Sequence, residues 1–356
     1  MTELCQYVDV CISNEEDAKD VFGIEAENTD IYAGEINHEG YKSVARQLAD
    51  KFGFKMVAIT LPPCFAQGGT SEKRIKMDIR YSCNQRDFKR YTTEETRNEF
   101  LITGLYKADE VVAVYSHVDR MVTLGCMPVQ ESVSIDKGID VWANFGTRFF
   151  LERREIGIFN LGGAGTVVAD GVSYHMNYKD CLYLTQGNKK VYFSSDDASN
   201  PAKFFMVSAP AHCACENKLI TIEEAARRPL GTVEGCNKRV INQFIHPSVL
   251  KTCQLSIGMT ALEPGSNWNT MPSHTHERRM EIYTCFEIPE NQVVFHMMGE
   301  PAETRHIVMQ NFDAVISPSW SIHSGVGTGN YTFIWAMGGE NMEFDDMDVL
   351  ATTDLK

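Results

Sequence analysis

From Met77 to Lys356 the chain is a succession of short runs rich in Val, Ile, Phe and Tyr, each closed by a turn signal. Glu110–Tyr115, Lys203–Val207, Cys253–Ile257, Val293–Met297 and Tyr331–Trp335 are such runs. Leu161-Gly162-Gly163 and Asp170-Gly171 close two more, Ile156–Asn160 and Gly165–Ala169. At close, regular spacing, runs this short bury their apolar faces by forming an all-β sandwich or barrel. The pattern also doubles: each half carries a strand, an Arg-Arg pair (Arg153-Arg154 and Arg278-Arg279), further strands and a closing aromatic strand. Two tandem β-barrels are therefore expected, over residues 77–225 and 226–356, each near the usual size of a domain.

The first 76 residues have another texture. Gly40–Phe54 places Tyr41, Val44, Leu48 and Phe52 at helical spacing, and Lys55–Leu61 follows as a short apolar strand. Residues 1–62 thus predict a short α/β extension, although one helix–strand unit cannot cover both faces of a parallel sheet. Pro62-Pro63 and Gly68-Gly69 then remove regular structure, so 63–76 is expected to be a linker.

Composition limits the partners. With 43% hydrophobic residues and no run near the roughly 18 to 20 apolar residues that span a bilayer, the chain is expected to be soluble and cytoplasmic. Eleven scattered cysteines in a chain without an export signal predict reduced thiols. A formal net charge of −15 disfavours nucleic acid and anionic membrane as partners. It leaves room for a small anionic substrate, which a few local arginines can bind.

The sharpest chemical signal is Ser273-His274-Thr-His276-Glu-Arg-Arg-Met-Glu281. Alternate residues of a strand share a face, so His274 and His276 can hold one ion through imidazole nitrogens while Glu277 points outward. Glu281 lies an odd number of positions beyond His276, and joins the two only if a bend or bulge breaks the alternation. The fourth ligand is expected from His323, in the Pro- and Gly-flanked segment Ile316–Gly325. Three imidazoles and one carboxylate suit Zn²⁺, Fe²⁺, Mn²⁺ or Ni²⁺. Two weaker signals take bland readings: His212-Cys-Ala-Cys215 as a loop and Asn160-Leu-Gly-Gly-Ala-Gly165 as a tight turn.

His-x-His-x₄-Glu with a distal histidine resembles the two-part metal motif of cupins. More specifically, Tyr115-Ser-His-Val-Asp-Arg120, Phe150-Leu-Glu-Arg-Arg154, Trp268-Asn-Thr-Met-Pro272, His274–Met280, Val294-Phe-His-Met-Met-Gly299, Glu303-Thr-Arg-His306 and Ser317–Gly325 resemble the 5-keto-4-deoxyuronate isomerase family. The resemblance runs from about Met77 to the end. It implies a bicupin whose second barrel binds one Zn²⁺ per subunit through His274, His276, Glu281 and His323; the first barrel, which shows no His-x-His, is expected to be a structural or oligomer-forming copy without metal. It also implies a homohexamer that isomerises 5-dehydro-4-deoxy-D-glucuronate to 3-deoxy-D-glycero-2,5-hexodiulosonate in pectin breakdown.

Arg278, Arg279 and Arg305 lie near the ligands in sequence and are candidates for the carboxylate of this keto-sugar acid. Glu281, His296 and His306 are candidates for the proton-transferring base, none of them singled out. Two other functions share the ligand set: a cupin oxygenase using Fe²⁺, and a non-catalytic cupin that binds sugar acids. Residues 1–61 resemble an internal fragment of a ribokinase-like 2-keto-3-deoxygluconate kinase without its nucleotide site, and a genuine start at Met77 is one expectation that follows.

Overall fold

In the computed structural model, which describes Cys5 and residues 7–13, 15–24, 38–59 and 77–356, the expected helix runs His38–Phe52. The strand Met56–Ile59 follows it and pairs in parallel with Val10–Ser13. Val44 and Leu48 are fully buried and pack with Ala18, Ile24 and Phe54. The expected linker at 63–76 lies outside the described residues, as does the side chain of Tyr41. Met1–Lys73 and Arg74–Lys356 form separate units.

The larger unit is mostly β, and its two halves repeat one topology. In the first, a seven-stranded sheet runs in the order Lys218–Ile220, Cys181–Leu184, Arg154–Asn160, Phe204–Pro210, Val122–Cys126, Val111–Ser116, Asp78–Arg80. It faces a four-stranded sheet ordered Val172–Met176, Gly165–Ala169, Val191–Ser195, Val133–Ser134. In the second half the central strands recur as Ala314–Ser317, Arg279–Phe286, Thr332–Gly339 and Ser256–Leu262. The small sheet recurs as Glu303–Met309, Val294–Glu300, Ser324–Gly327 and Trp268–Asn269. The Arg-Arg likeness in the sequence now has a structural meaning. Arg154 and Arg279 each open the equivalent central strand, which makes Ile156 the counterpart of Glu281.

One expectation is met in coarser form and one needs correction. Among the described residues each half is a pair of open sheets, with no ladder closing one sheet on itself. The unit is also not purely β. Helix Thr93–Phe100 is started by a capping box, in which Thr92 Oγ1 accepts from Glu95 N–H and the Glu95 carboxylate accepts from Thr92 N–H. Phe88 and Phe100 pack on Trp320 of the second half, and the strand Leu101–Ile102 pairs with Val315 and Ala314, so the halves interleave.

The interiors differ in content. The first is filled by aliphatic and aromatic side chains, Ile156, Ile158, Val167, Leu182, Phe193, Phe204 and Met206 among them. The second places Glu281 and Tyr283 at the positions of Ile156 and Ile158 and encloses a cavity. The large sheets lie back to back. Phe159 meets Phe244 with ring centroids 4.9 Å apart, and Gly157 sits against Ile245 and Ile257 so closely that a Cβ would overlap both.

Candidate metal centre

Three separate backbone segments deliver the four side chains. His274 lies in the two-residue strand His274–Thr275, paired with Asp348–Val349. The chain then turns over His276–Arg278, closed by Arg279 N–H donating to the His276 carbonyl at 3.4 Å, and enters the strand Arg279–Phe286 of the large sheet. That turn between two sheets supplies the break in alternation that Glu281 requires. Glu277, at the turn, is exposed. His323 arrives from the opposite sheet, just ahead of Ser324–Gly327, after a turn in which Ser321 N–H donates to the Pro318 carbonyl at 2.9 Å.

The side chains converge. One donor atom from each of His274, His276, Glu281 and His323 lies within 4.8 Å of all the others, and all four residues are buried. Glu281 Oε1 is 2.9 Å from His276 Nε2 and Oε2 is 3.8 Å from His323 Nε2, while Nε2 of His323 and His274 are 2.9 Å apart. The His276 and His323 rings stack at 4.9 Å, with His274 edge-on to both.

Tautomers follow from the outer contacts. His276 Nδ1 lies 2.8 Å from the Asp346 carbonyl and His274 Nδ1 lies 3.3 Å from the Pro272 carbonyl. A carbonyl only accepts, so each Nδ1 carries the proton and each Nε2 turns a lone pair inward. Burial keeps His274 and His323 below the ordinary imidazole range, hence neutral near pH 7. Burial pushes the Glu281 carboxyl up, yet the net effect of its surroundings keeps it below the ordinary carboxylate range, hence ionised. His276 Nε2 and Glu281 Oε2 have no hydrogen-bond partner despite their burial. Inward lone pairs beside an unpartnered carboxylate oxygen are costly to bury without a cation and form the donor set a divalent metal takes. Among the described residues this is the one cluster of its kind.

His274, His276 and Glu281 of the cluster line a cavity of about 200 Å³, with Tyr283, Ile241, Phe333, Trp335 and Met337 also in its wall. That is below the roughly 300–1,000 Å³ of pockets for drug-sized ligands, so it favours a small molecule. Its walls are largely apolar. Tyr283 stays protonated, because burial and the neighbouring Glu281 hold its phenol well above the usual range. A proton donor therefore stands beside the carboxylate.

Residues 111–351 match the KduI/IolB family. The chain belongs to that family. Two curated relatives, both called 4-deoxy-L-threo-5-hexosulose-uronate ketol-isomerase, are each 51% identical to it. The protein from Lachnospira eligens matches over 284 residues and that from Pectobacterium carotovorum subsp. carotovorum over 280, in each case 79% of this chain and 100% of the relative. This KduI/IolB member is an isomerase. The crystal structure of an IolB-like protein from Salmonella typhimurium LT2 aligns with a TM-score of 0.56 at 13% identity, covering 70% of this chain and 96% of that one, a likeness of fold.

Within this family member the other candidate residues take varied positions. Arg278 holds Asp346 through Nε at 3.0 Å and Nη2 at 2.5 Å, and reaches Asp348 as well. Arg279 is fully buried and donates to Asn341 Oδ1 and to the carbonyls of Glu343, Phe344 and Asp346. Arg305 donates to the Lys89 carbonyl and to Glu303. None of the three lines the cavity. His296 is buried with its ring centroid 5.6 Å from that of Tyr283, whereas His306 is exposed and packs on Phe295. The bland readings fit their surroundings: Asn160 bonds Gly162 N–H and the Gly163 carbonyl across a turn, and Cys213 is exposed outside the histidine cluster. Tyr283, Arg228 and Arg239, all lining the cavity, carry no motif; strand alternation from Glu281 was the one signal that pointed to Tyr283.

Proposed function

We propose that this isomerase is a zinc-dependent bicupin that converts 5-dehydro-4-deoxy-D-glucuronate to 3-deoxy-D-glycero-2,5-hexodiulosonate during pectin and uronate breakdown. The observation that carries the proposal is the buried set of His274, His276, His323 and Glu281 opening on a cavity of small-molecule size. In this reading the sandwich halves correspond to the two cupins, and the first, with Ile156 where Glu281 stands in the second, is metal-free. A homohexamer in the cytoplasm, with one ion per subunit, belongs to the same proposal.

Aldose–ketose interconversion moves a hydrogen between adjacent carbons while negative charge develops on the two oxygens they carry. A divalent ion held by the three imidazoles and the carboxylate would supply Lewis-acid stabilisation of that charge. The chain's own groups prepare the rest. Carbonyl contacts at Nδ1 fix the ring planes of His274 and His276, so little reorganisation accompanies binding. Phe333, Trp335 and Met337 keep water from the reacting carbons, and the Tyr283 hydroxyl presents a proton on the cavity wall beside Glu281.

The test is anaerobic incubation of the zinc-loaded protein with the keto-uronate, followed by NMR of the product, for wild type and His276→Ala. Turnover is expected in the wild type alone. Equal turnover in both would remove the metal from the mechanism, and a strict need for oxygen would favour the Fe²⁺ oxygenase.

A further inference from the structure

A six-carbon uronate carries its reacting carbonyl at one end and its carboxylate at the other, so a site with a metal on one wall needs a cation elsewhere in the same cavity. Arg278 and Arg279 adjoin the ligands but are engaged by Asp346 and by backbone carbonyls. The cavity contains two other arginines. Arg228 and Arg239 lie on the paired strands Ala226–Leu230 and Arg239–Ile245, and both line it, with Leu230 and Ile241, on the face set by strand alternation. Arg228 is exposed and rests over the Phe344 ring at 5.4 Å. Arg239 is 8% exposed.

The bonding of Arg239 is one-sided. Nη1 donates to the Asn237 carbonyl at 2.9 Å, whereas Nε is buried without a partner and Nη2 makes no hydrogen bond among the described residues. No described carboxylate forms an ion pair with it. Nε and Nη2 form the edge of the guanidinium that takes a carboxylate through two parallel N–H bonds. A buried cation with that edge unpaired is costly unless an anion arrives to meet it.

Resting on the isomerase reading above, we infer that Arg239 is the receptor for the substrate's carboxylate, with Arg228 at the exposed side adding attraction. Arg239 thereby sets which end of the keto-sugar acid faces the metal ligands. The cavity selects acids over the corresponding neutral sugars, and the selection resides in one side chain four strands along the sheet order from Ala314–Ser317.

The experiment uses the zinc-loaded full chain in two assays. In the first, keto-uronate turnover by wild type is compared with Arg239→Gln and Arg239→Lys. Loss of a charge-assisted pair is expected to raise KM roughly 10- to 100-fold in Arg239→Gln while kcat changes by less than about threefold, with Arg239→Lys in between. In the second, calorimetry measures binding of D-glucuronate and of its neutral amide, D-glucuronamide. Wild type is expected to prefer the acid by about tenfold or more, and Arg239→Gln to lose the preference. An unchanged KM in Arg239→Gln, or an acid preference that survives it, overturns the assignment. If Arg239→Gln fails to fold, parity of acid and amide in the wild type does so, as does Arg239→Lys behaving as wild type in both assays. Absence of turnover in the wild type, with acid selection that depends on Arg239, sinks the isomerase reading and leaves the carboxylate receptor standing.

Discussion

His276 and Arg279 donate to the same oxygen: the Asp346 carbonyl accepts from His276 Nδ1 at 2.8 Å and from Arg279 Nη2 at 3.1 Å. Arg279 is fully buried and also donates to the Glu343 and Phe344 carbonyls, so one guanidinium gathers the backbone that orients an imidazole of the cluster. It is a positioning residue for the cluster without being part of it.

Replacing it by lysine keeps the charge and loses the planar fork. Arg279→Lys is expected to weaken zinc binding roughly tenfold or more, the usual effect of disturbing a ligand's outer partner. Competition against a chromophoric chelator measures this, with circular dichroism as the check on folding. A folded variant with wild-type zinc affinity would show that the shared carbonyl does not matter.

Metal should also appear as stability. An ion that binds the folded state and not the unfolded one contributes about 2.7 kcal/mol at a free concentration 100 times its Kd. Chelator treatment is therefore expected to lower Tm reversibly, with recovery on adding Zn²⁺. Glu281→Gln, which removes the anionic ligand, should show a much smaller response to the ion. A Tm indifferent to chelator in the wild type contradicts the centre.

In metal-free protein, acid should unfold the second half early. Burial lowers the His296 pKa to about 4, against about 6.5 for an exposed imidazole. Between those values the unfolded chain binds more protons than the folded one, so stability is lost as pH falls through this window. The full effect for one group is about 3 kcal/mol, and His274 and His323, shifted the same way, add to it. Urea midpoints at pH 7.5 and 4.5 measure the slope. His296→Gln should flatten it; an identical slope in that variant assigns the loss elsewhere.

Glu155 predicts an effect on folding with none on chemistry. Its carboxylate, fully buried, accepts from the Cys253, Gln254 and Leu255 backbone N–H groups at 2.8 Å each and from the Tyr183 hydroxyl at 2.6 Å. Glu155→Ala orphans several buried donors at once, so a loss of about 2–5 kcal/mol is expected, read as a lower urea midpoint. Zinc affinity of the folded fraction should stay within about threefold of wild type. A large fall in affinity would place Glu155 in the metal site's support.

The legible part of the site was the part encoded by spacing. His-x-His, Glu281 and the distal His323 sit in sequence as they must to meet in space, and even the parity problem at Glu281 announced the turn over His276–Arg278. Arg153-Arg154 and Arg278-Arg279 signalled the repeat because both pairs open the same central strand. The cavity's other polar residues were invisible for the opposite reason. Arg239 and Tyr283 are single members of alternating strands, and only the folding of one sheet over another shows which faces share a space. For Arg278 and Arg305, nearness along the chain gave no sign of their partners, Asp346 and the Lys89 carbonyl, which come from distant segments. Helix Thr93–Phe100 and the interleaved strand Leu101–Ile102 had no apolar period long enough to read, since their apolar contacts, Phe88 and Phe100 on Trp320, come from a distant part of the chain.

The absent side chain of Gly157 has an evolutionary edge. With the Ile245 and Ile257 Cδ1 atoms lying where a Gly157 Cβ would stand, the half without the histidine cluster is the back wall of the half that carries it. A copy without the cluster is still retained by such an arrangement: discarding it would strip cover from Phe244 and its neighbours, and a side chain at Gly157 would make Ile245 and Ile257 shift.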